Sequence, residues 1–291
     1  MLAHDNALDL PAFVGGKPVR DMMLHFSQPK LSENEIAACE AVLRSGWLTT
    51  ASRAKEFESE FKAYTGASHA IALNSCTAGL FLSLKVLDIS PGDEVITTPL
   101  TFSASVNVIE HVGAKPVFAD IDTDTWCIDP TEVEKKVTKS TKAILPVHVY
   151  GRSCEMDFLT EIARQHGLKI IQDCAHAIET EWHGTNVGSL GDLACYSFYA
   201  TKNVTTGEGG MVTTNRDDWA EKIRILSRHG MDSSAFNRYE ADGKAGYDIL
   251  KPGYKYNIPD ILAALGIEGL KRVEERLKIR EEICERYYHE L

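Results

Sequence analysis

From about residue 70 to 215 the chain alternates short β-branched runs with helix-length stretches: "HAIALNS", "TAGLFLSLKVL", "DEVITT", "TFSASVNVIEHVG", "KPVFADI", "DPTEVEKKV", "KAILPVHVY", "DFLTEIARQHG" and "LKIIQDCA". Apolar runs of strand length separated by helical crossovers predict an α/β fold with a mainly parallel sheet covered by helices on both faces. Turn chemistry marks the cuts. "SPGDE" at 90–94 brings Pro91 and Gly92 together, and "DPTE" at 129–132 offers an aspartate cap followed by proline. Before this region, 31–66 reads as helical; after it, the tail from Ile261 reads as one long amphipathic helix with no cap or stop signal. No internal repeat is visible.

Composition narrows the classes. A length of 291 residues, 44% hydrophobic and 25% charged, is ordinary for a globular chain of about two domains. Thirty-one Lys and Arg against 42 Asp and Glu leave a net charge of −11, which argues against a nucleic-acid-coating role. No run approaches the roughly 18 apolar residues of a membrane span, and the start lacks a basic then apolar secretory signal. The seven cysteines form no C-x-x-C pair, so metal binding is not expected and reduced thiols in a cytoplasmic protein are.

Ligands of an open parallel sheet sit at the carboxyl ends of its strands, so four strand ends matter. At "LNSCTAGL" a strand ends and a helix opens near Thr77, an anion cradle of free N–H groups or a plain N-cap. "IIQDCAHA" delivers Asp173 to a strand end with His176 just beyond. The carboxylate can hold a heterocyclic nitrogen protonated; a cap and a structural histidine are the other reading. Phe102 follows a strand in "TTPLTFSASVNVI", where its ring can stack on a flat ligand or fill core. In "SFYATKNVTTGEGG", Ser197 lies on a strand and Lys202 after it. A lysine emerging into a desolvated pocket can attack a carbonyl to form a Schiff base; a solvated surface lysine is the alternative. The lysine precedes the glycines, the reverse of a Walker A loop. Together the four supply what pyridoxal 5′-phosphate (PLP) needs: a phosphate cradle, a carboxylate, a stacking ring and an amine.

In order and spacing, "SCTAGL", "TPLTFSASVNVI", "PVHVYG", "QDCAHA", "SFYATKNVTTGEGG" and "GYKYNIPDILAALG" resemble the DegT/DnrJ/StrS sugar aminotransferases, fold type I PLP enzymes, over nearly the whole chain. The resemblance implies that Lys202 holds PLP and shuttles the proton, Asp173 keeps the ring nitrogen protonated, and His176 lies near the phenolic oxygen. It places Phe102 and Ala175 on the two faces of the ring, and Cys76, Thr77, Ser197 and Asn257 from a second subunit at the phosphate, so a homodimer is implied. It also implies transfer of an amino group from glutamate to a keto carbon of a nucleotide-linked sugar. The "GYKYN" form at 253–257 looks similar to enzymes making 4-amino-4-deoxyarabinose for lipid A.

Members of that family usually continue into a small C-terminal domain, so the expected organisation is an N-terminal segment at 1–30, a PLP-binding large domain at 31–260, and a truncated small domain beginning at 261–291. Two alternatives stay open: a non-catalytic homologue that keeps the fold and PLP, and a PLP-dependent sugar dehydratase. Relatives of the latter kind replace the lysine by histidine, and Lys202 is retained.

Overall fold

A computed structural model of the chain describes residues 10–23, 25, 27–232 and 247–291. Contacts divide it into two units, Met1–Lys30 and Leu31–Leu291. Of the first, residues 1–9 lie outside the described residues, and a single 3-10 turn spans Ala12–Val14.

The second unit is built on a seven-stranded sheet. Its strands are β1 (His69–Leu73), β2 (Glu94–Thr97), β3 (Lys115–Phe118), β4 (Thr141–Leu145), β5 (Lys169–Asp173), β8 (Leu193–Ser197) and β9 (Gly210–Thr214), in the order β1-β9-β8-β5-β4-β2-β3. A separate hairpin pairs β6 (Glu181–Trp182) with β7 (Thr185–Asn186). Every neighbouring pair from β8 to β3 is parallel, and β9 runs antiparallel to both β1 and β8. The mainly parallel α/β sheet expected from the alternating pattern is present.

Side-chain alternation sends successive strand residues to opposite faces. Ile71, Val95, Leu145, Ile171, Cys195 and Val212 pack on one side, with α3 (Cys76–Val86), α4 (Ser103–His111) and α7 (Asp217–Leu226). Their neighbours Ala72, Tyr196 and Met211 pack on the other, under α2 (Ser52–Thr65) and α8 (Asp260–Leu270). Ile96, Ile144 and Ile170 continue that second face beneath α5 (Pro130–Lys136) and α6 (Met156–His166). The result is three layers, with aromatic side chains thickening the core: Phe57, Phe61, Tyr196 and Phe198 pack with ring centroids 4.9 to 6.2 Å apart.

Helix α1 (Glu33–Ser45) opens with a capping box in which Ser32 and Glu35 exchange hydrogen bonds. Helix α2 has Ala51 at its N-cap and no local side chain to satisfy its first amides. Asp260 supplies that cap from the start of α8. Its buried carboxylate accepts from the amides of Ala51, Arg53 and Ala54 at 2.6, 3.0 and 3.0 Å.

The tail differs from the single helix expected. It divides into α8 and α9 (Val273–Glu290), because Arg272 leaves helical backbone at φ −109°, ψ 6°. Periodicity cannot register the reason: Arg272 and Arg276 both donate to the fully buried Glu35 carboxylate of α1, at 3.2 and 2.8 Å.

Candidate functional site

The carboxyl ends of β1, β2, β4, β5 and β8 converge on one cavity of about 410 Å³. Cys76, Phe102, Asp173, Ala175, His176, Ser197 and Lys202 all line it. Thr77 and Asn257 do not. The two follow the same chain logic as the rest but sit elsewhere: Thr77 is exposed on the first turn of α3, and Asn257 lies outside the cavity, donating to Thr50 Oγ1 at 2.5 Å and accepting from Lys255 Nζ at 2.6 Å.

Asp173 ends β5 and is 5% exposed. An unpaired carboxylate at that depth is costly, and here three groups address it. Its Oδ1 accepts from the amide of Ala175 at 3.0 Å, Ser105 Oγ donates to Oδ2 at 2.7 Å, and the Cys76 thiol stands 4.0 Å from Oδ1. Ser105 was not among the residues singled out in the sequence. It lies on α4, one turn after Phe102, which forms the N-cap and is 77% exposed at the cavity rim.

The phosphate-cradle stretch is arranged as a helix start. Helix α3 begins at Cys76, one residue before the expected Thr77, and Ser75 Oγ caps it by accepting from the Ala78 amide at 3.0 Å. That leaves the amides of Cys76 and Thr77 without helical acceptors. The thiol of Cys76 turns inward, donating to the Cys195 carbonyl at 3.4 Å, and burial holds it well above the ordinary thiol range. Only its amide remains for an anion. A close approach makes the turn possible: a Cβ on Gly210 of β9 would stand 2.3 Å from the carbonyl carbon of Ser75 and 2.5 Å from the amide nitrogen of Cys76.

Lys202 follows β8 in a turn, its amide donating to the Tyr199 carbonyl at 2.9 Å. Burial lowers the ammonium below its ordinary range, while Asp173 and Cys76 oppose the shift. The neutral amine, the nucleophilic form, is thereby favoured. Ser197 Oγ, on the last residue of β8, accepts from the Tyr199 amide at 3.3 Å.

His176 is lowered by burial and by the Lys202 cation, with Asp173 opposing. Its ring stacks on Tyr150 at 5.4 Å and 3°, and the Tyr150 amide donates to Nδ1 at 3.4 Å. This places the proton on Nε2. Tyr150 itself, in "PVHVYG", takes the left-handed conformation at φ 51°. The pattern of the sequence carries no sign of either property.

The donor set fits PLP. A buried carboxylate, a lysine with a depressed pKa, free helix amides beside a glycine-permitted turn and an exposed ring edge one cavity meet the demands of a phosphorylated pyridine aldehyde. Among the described residues no cluster of His, Cys, Asp and Glu could hold a metal ion, and no helix is long and apolar enough to cross a membrane.

Comparison with known proteins agrees with this chemistry. A model of the DegT/DnrJ/EryC1/StrS aminotransferase family matches residues 29–291. The chain is 51% identical to the spore coat polysaccharide biosynthesis protein SpsC of Bacillus subtilis, over 92% of this chain and 69% of that protein. It is 42% identical to the UDP-4-amino-4-deoxy-L-arabinose–oxoglutarate aminotransferase of Shewanella sediminis, over 91% of this chain and 68% of that one. Among solved structures, the putative sugar aminotransferase Spr1654 of Streptococcus pneumoniae superimposes with a TM-score of 0.85 at 37% identity in its apo form, over 91% of this chain and 70% of that one; its PLP and PMP forms give 0.84 and 0.85.

Proposed function

The chain belongs to the DegT/DnrJ/EryC1/StrS aminotransferase family, whose cofactor is PLP, and from that premise we propose that it moves the amino group of glutamate to a keto carbon of a nucleotide-linked sugar. One observation carries the reading: Lys202 and the Asp173 carboxylate line the same cavity, and Asp173 is among the groups that set the lysine's pKa.

When bound, PLP supplies a carbonyl that condenses with amines and a protonated ring that accepts electrons from the bond broken next to the nitrogen. Asp173, held by Ser105 and the Ala175 amide, keeps the ring nitrogen charged. Lys202 would anchor the cofactor through its Nζ, and the same amine, favoured in its neutral form, would hold and move a proton there. His176, whose Nδ1 accepts from the Tyr150 amide, would offer its Nε2–H to the phenolic oxygen. Phe102 and Ala175, both lining the cavity, would hold the ring.

At the α3 start, the free amides of Cys76 and Thr77 would hold the phosphate together with the Ser197 hydroxyl, with the exposed Thr77 side chain on the same turn. Asn257, outside its own cavity, completes the partner subunit's phosphate site in a homodimer. All seven cysteines are free thiols, which supports a cytoplasmic setting.

Incubating the PLP-loaded protein with ¹⁵N-glutamate and a panel of nucleotide-linked keto-sugars tests the proposal. It expects ¹⁵N in a sugar product. Loss of water from the sugar without gain of nitrogen would replace it with a dehydratase.

A further inference from the structure

The turn that carries Lys202 is held from outside by the tail helix α9. Its own backbone bonds sit at its two ends, where the Lys202 amide donates to the Tyr199 carbonyl and the Thr206 amide to the Phe198 carbonyl, each at 2.9 Å. Between them Asn203, the residue next to Lys202, is gripped twice. Arg276 Nη1 on α9 donates to its backbone carbonyl at 3.2 Å, and its side-chain amide donates to the two oxygens of Glu179 at 2.9 and 2.7 Å. Arg280, one turn further along α9, donates to the same Glu179 carboxylate.

These contacts are stiff ones. The Glu179 side chain keeps 7% exposure, and a carboxylate at that depth needs partners, which Asn203 and Arg280 supply. Arg276 is fixed in turn by the fully buried Glu35 of α1, at 2.8 Å. With its carbonyl and its side chain both bound, Asn203 can neither swing nor slide without breaking a bond to a charged group. Glu179 also reaches a second loop. It lies three residues after His176, in the stretch that follows β5 and brings Ala175 and His176 to the cavity. Neither Asn203 nor Glu179 lines that cavity; their contacts join, from behind, the loop bearing the lysine to the loop bearing the histidine.

Such a frame supplies what a reacting amine requires. A group misplaced by about 1 Å can lose on the order of 10²-fold in rate, and Lys202 sits in a turn with neither helix nor strand to hold it. Resting on the reading of Lys202 as the amine that anchors the cofactor, we propose that Asn203 is a positioning residue for Lys202, clamped by Glu179, Arg276 and Arg280, so that the tail helix sets where the amine stands relative to His176 and Asp173. Opening the clamp lets the half-buried turn move toward water. There the cationic form of the nitrogen is favoured, and the amine leaves the geometry in which it meets an amino donor.

The test compares PLP-loaded full chains of the wild type, Asn203→Ala, Glu179→Ala and Glu179→Gln. Tyr64→Phe is the control, because it removes a bond to Glu274 of α9 without touching the Lys202 turn. Two readouts are followed: the pH midpoint at which the visible absorbance of bound PLP changes, and the dependence of bleaching on glutamate concentration. Asn203→Ala and Glu179→Ala should raise the midpoint and slow bleaching at saturating glutamate on the order of 10-fold or more, with the half-saturating concentration little changed. Glu179→Gln keeps one acceptor for the Asn203 amide and should recover part of the rate; Tyr64→Phe should match the wild type. Wild-type midpoint and rate in both alanine variants would overturn the proposal. So would a slower rate with an unmoved midpoint, which makes the clamp structural only. Borohydride labelling of the wild type separates this from the underlying reading: a label on a lysine other than Lys202 removes both, whereas a label on Lys202 with unaltered variants removes the clamp alone.

Discussion

Ser105 Oγ donates to Asp173 Oδ2 across 2.7 Å, between the first turn of α4 and the end of β5, 68 residues apart in sequence. Both groups are buried, so the hydroxyl supplies the carboxylate with a hydrogen bond where water cannot. Ser105→Ala removes that donor. A hydrogen bond to a charged group contributes about 1.5–3 kcal/mol, so turnover should fall on the order of 10- to 100-fold while PLP still binds covalently. Steady-state kinetics alongside cofactor absorbance would check this; unchanged kinetics would show that Ala175 alone suffices.

Gly210→Ala tests the cradle. Its Cβ would meet only backbone atoms, 2.3 to 2.5 Å away in Ser75 and Cys76, so the α3 start must move outward. Stability should drop by about 1–3 kcal/mol and cofactor affinity by about 10-fold or more. Fluorescence titration with PLP measures the second effect.

Much of this arrangement was legible in the sequence, because a parallel sheet puts its chemistry at strand ends. Asp173 and Ser197 are the last residues of β5 and β8, Lys202 follows in the next turn, and the apolar alternation that marks those strands also marks their ends. Ser105 was hidden by distance, since a hydroxyl on a helix meets its partner only after folding. The left-handed Tyr150 was hidden because a tyrosine has no preference for φ 51°, and the glycine after it accounts only for its own φ of 89°. The break between α8 and α9 was hidden for the same reason as Ser105: Arg272 finds Glu35 237 residues away.

That ion pair gives a prediction of its own. Glu35 is fully buried and accepts from Ser32, Arg272 and Arg276, whose side chains keep 32% and 19% exposure in the two arginines. Glu35→Ala leaves Arg276 without its carboxylate and Arg272 with only Glu275, 3.3 Å from its Nε. The loss should be about 2–4 kcal/mol, below that of a wholly buried pair, and Tm should fall by about 5–10 °C. Calorimetry would show it; an unchanged Tm would mean that water replaces the carboxylate at no cost.

His148 sets a pH dependence. Burial lowers it from 6.5 to about 4, against the opposing hydrogen bond to Gln172 at 2.9 Å. Its Nδ1 accepts from the Cys154 amide at 3.1 Å, which fixes a neutral ring. Between pH 6.5 and about 4 the unfolded chain binds a proton that the folded chain does not, so stability falls as pH drops through that window, by about 3 kcal/mol in all. Urea unfolding at pH 7 and pH 5 should show a shallower loss for His148→Asn than for the wild type. Equal slopes would assign the acid sensitivity to other groups.

The most direct test of the central claim is chemical. The purified chain is loaded with PLP, reduced with borohydride and peptide-mapped, with and without prior exposure to glutamate. A single label on Lys202, lost when glutamate is added first, is the expected result. A label on another lysine, or a Lys202 label that glutamate leaves intact, would contradict the assignment of Lys202 as the amine that anchors the cofactor and yields it to the amino donor.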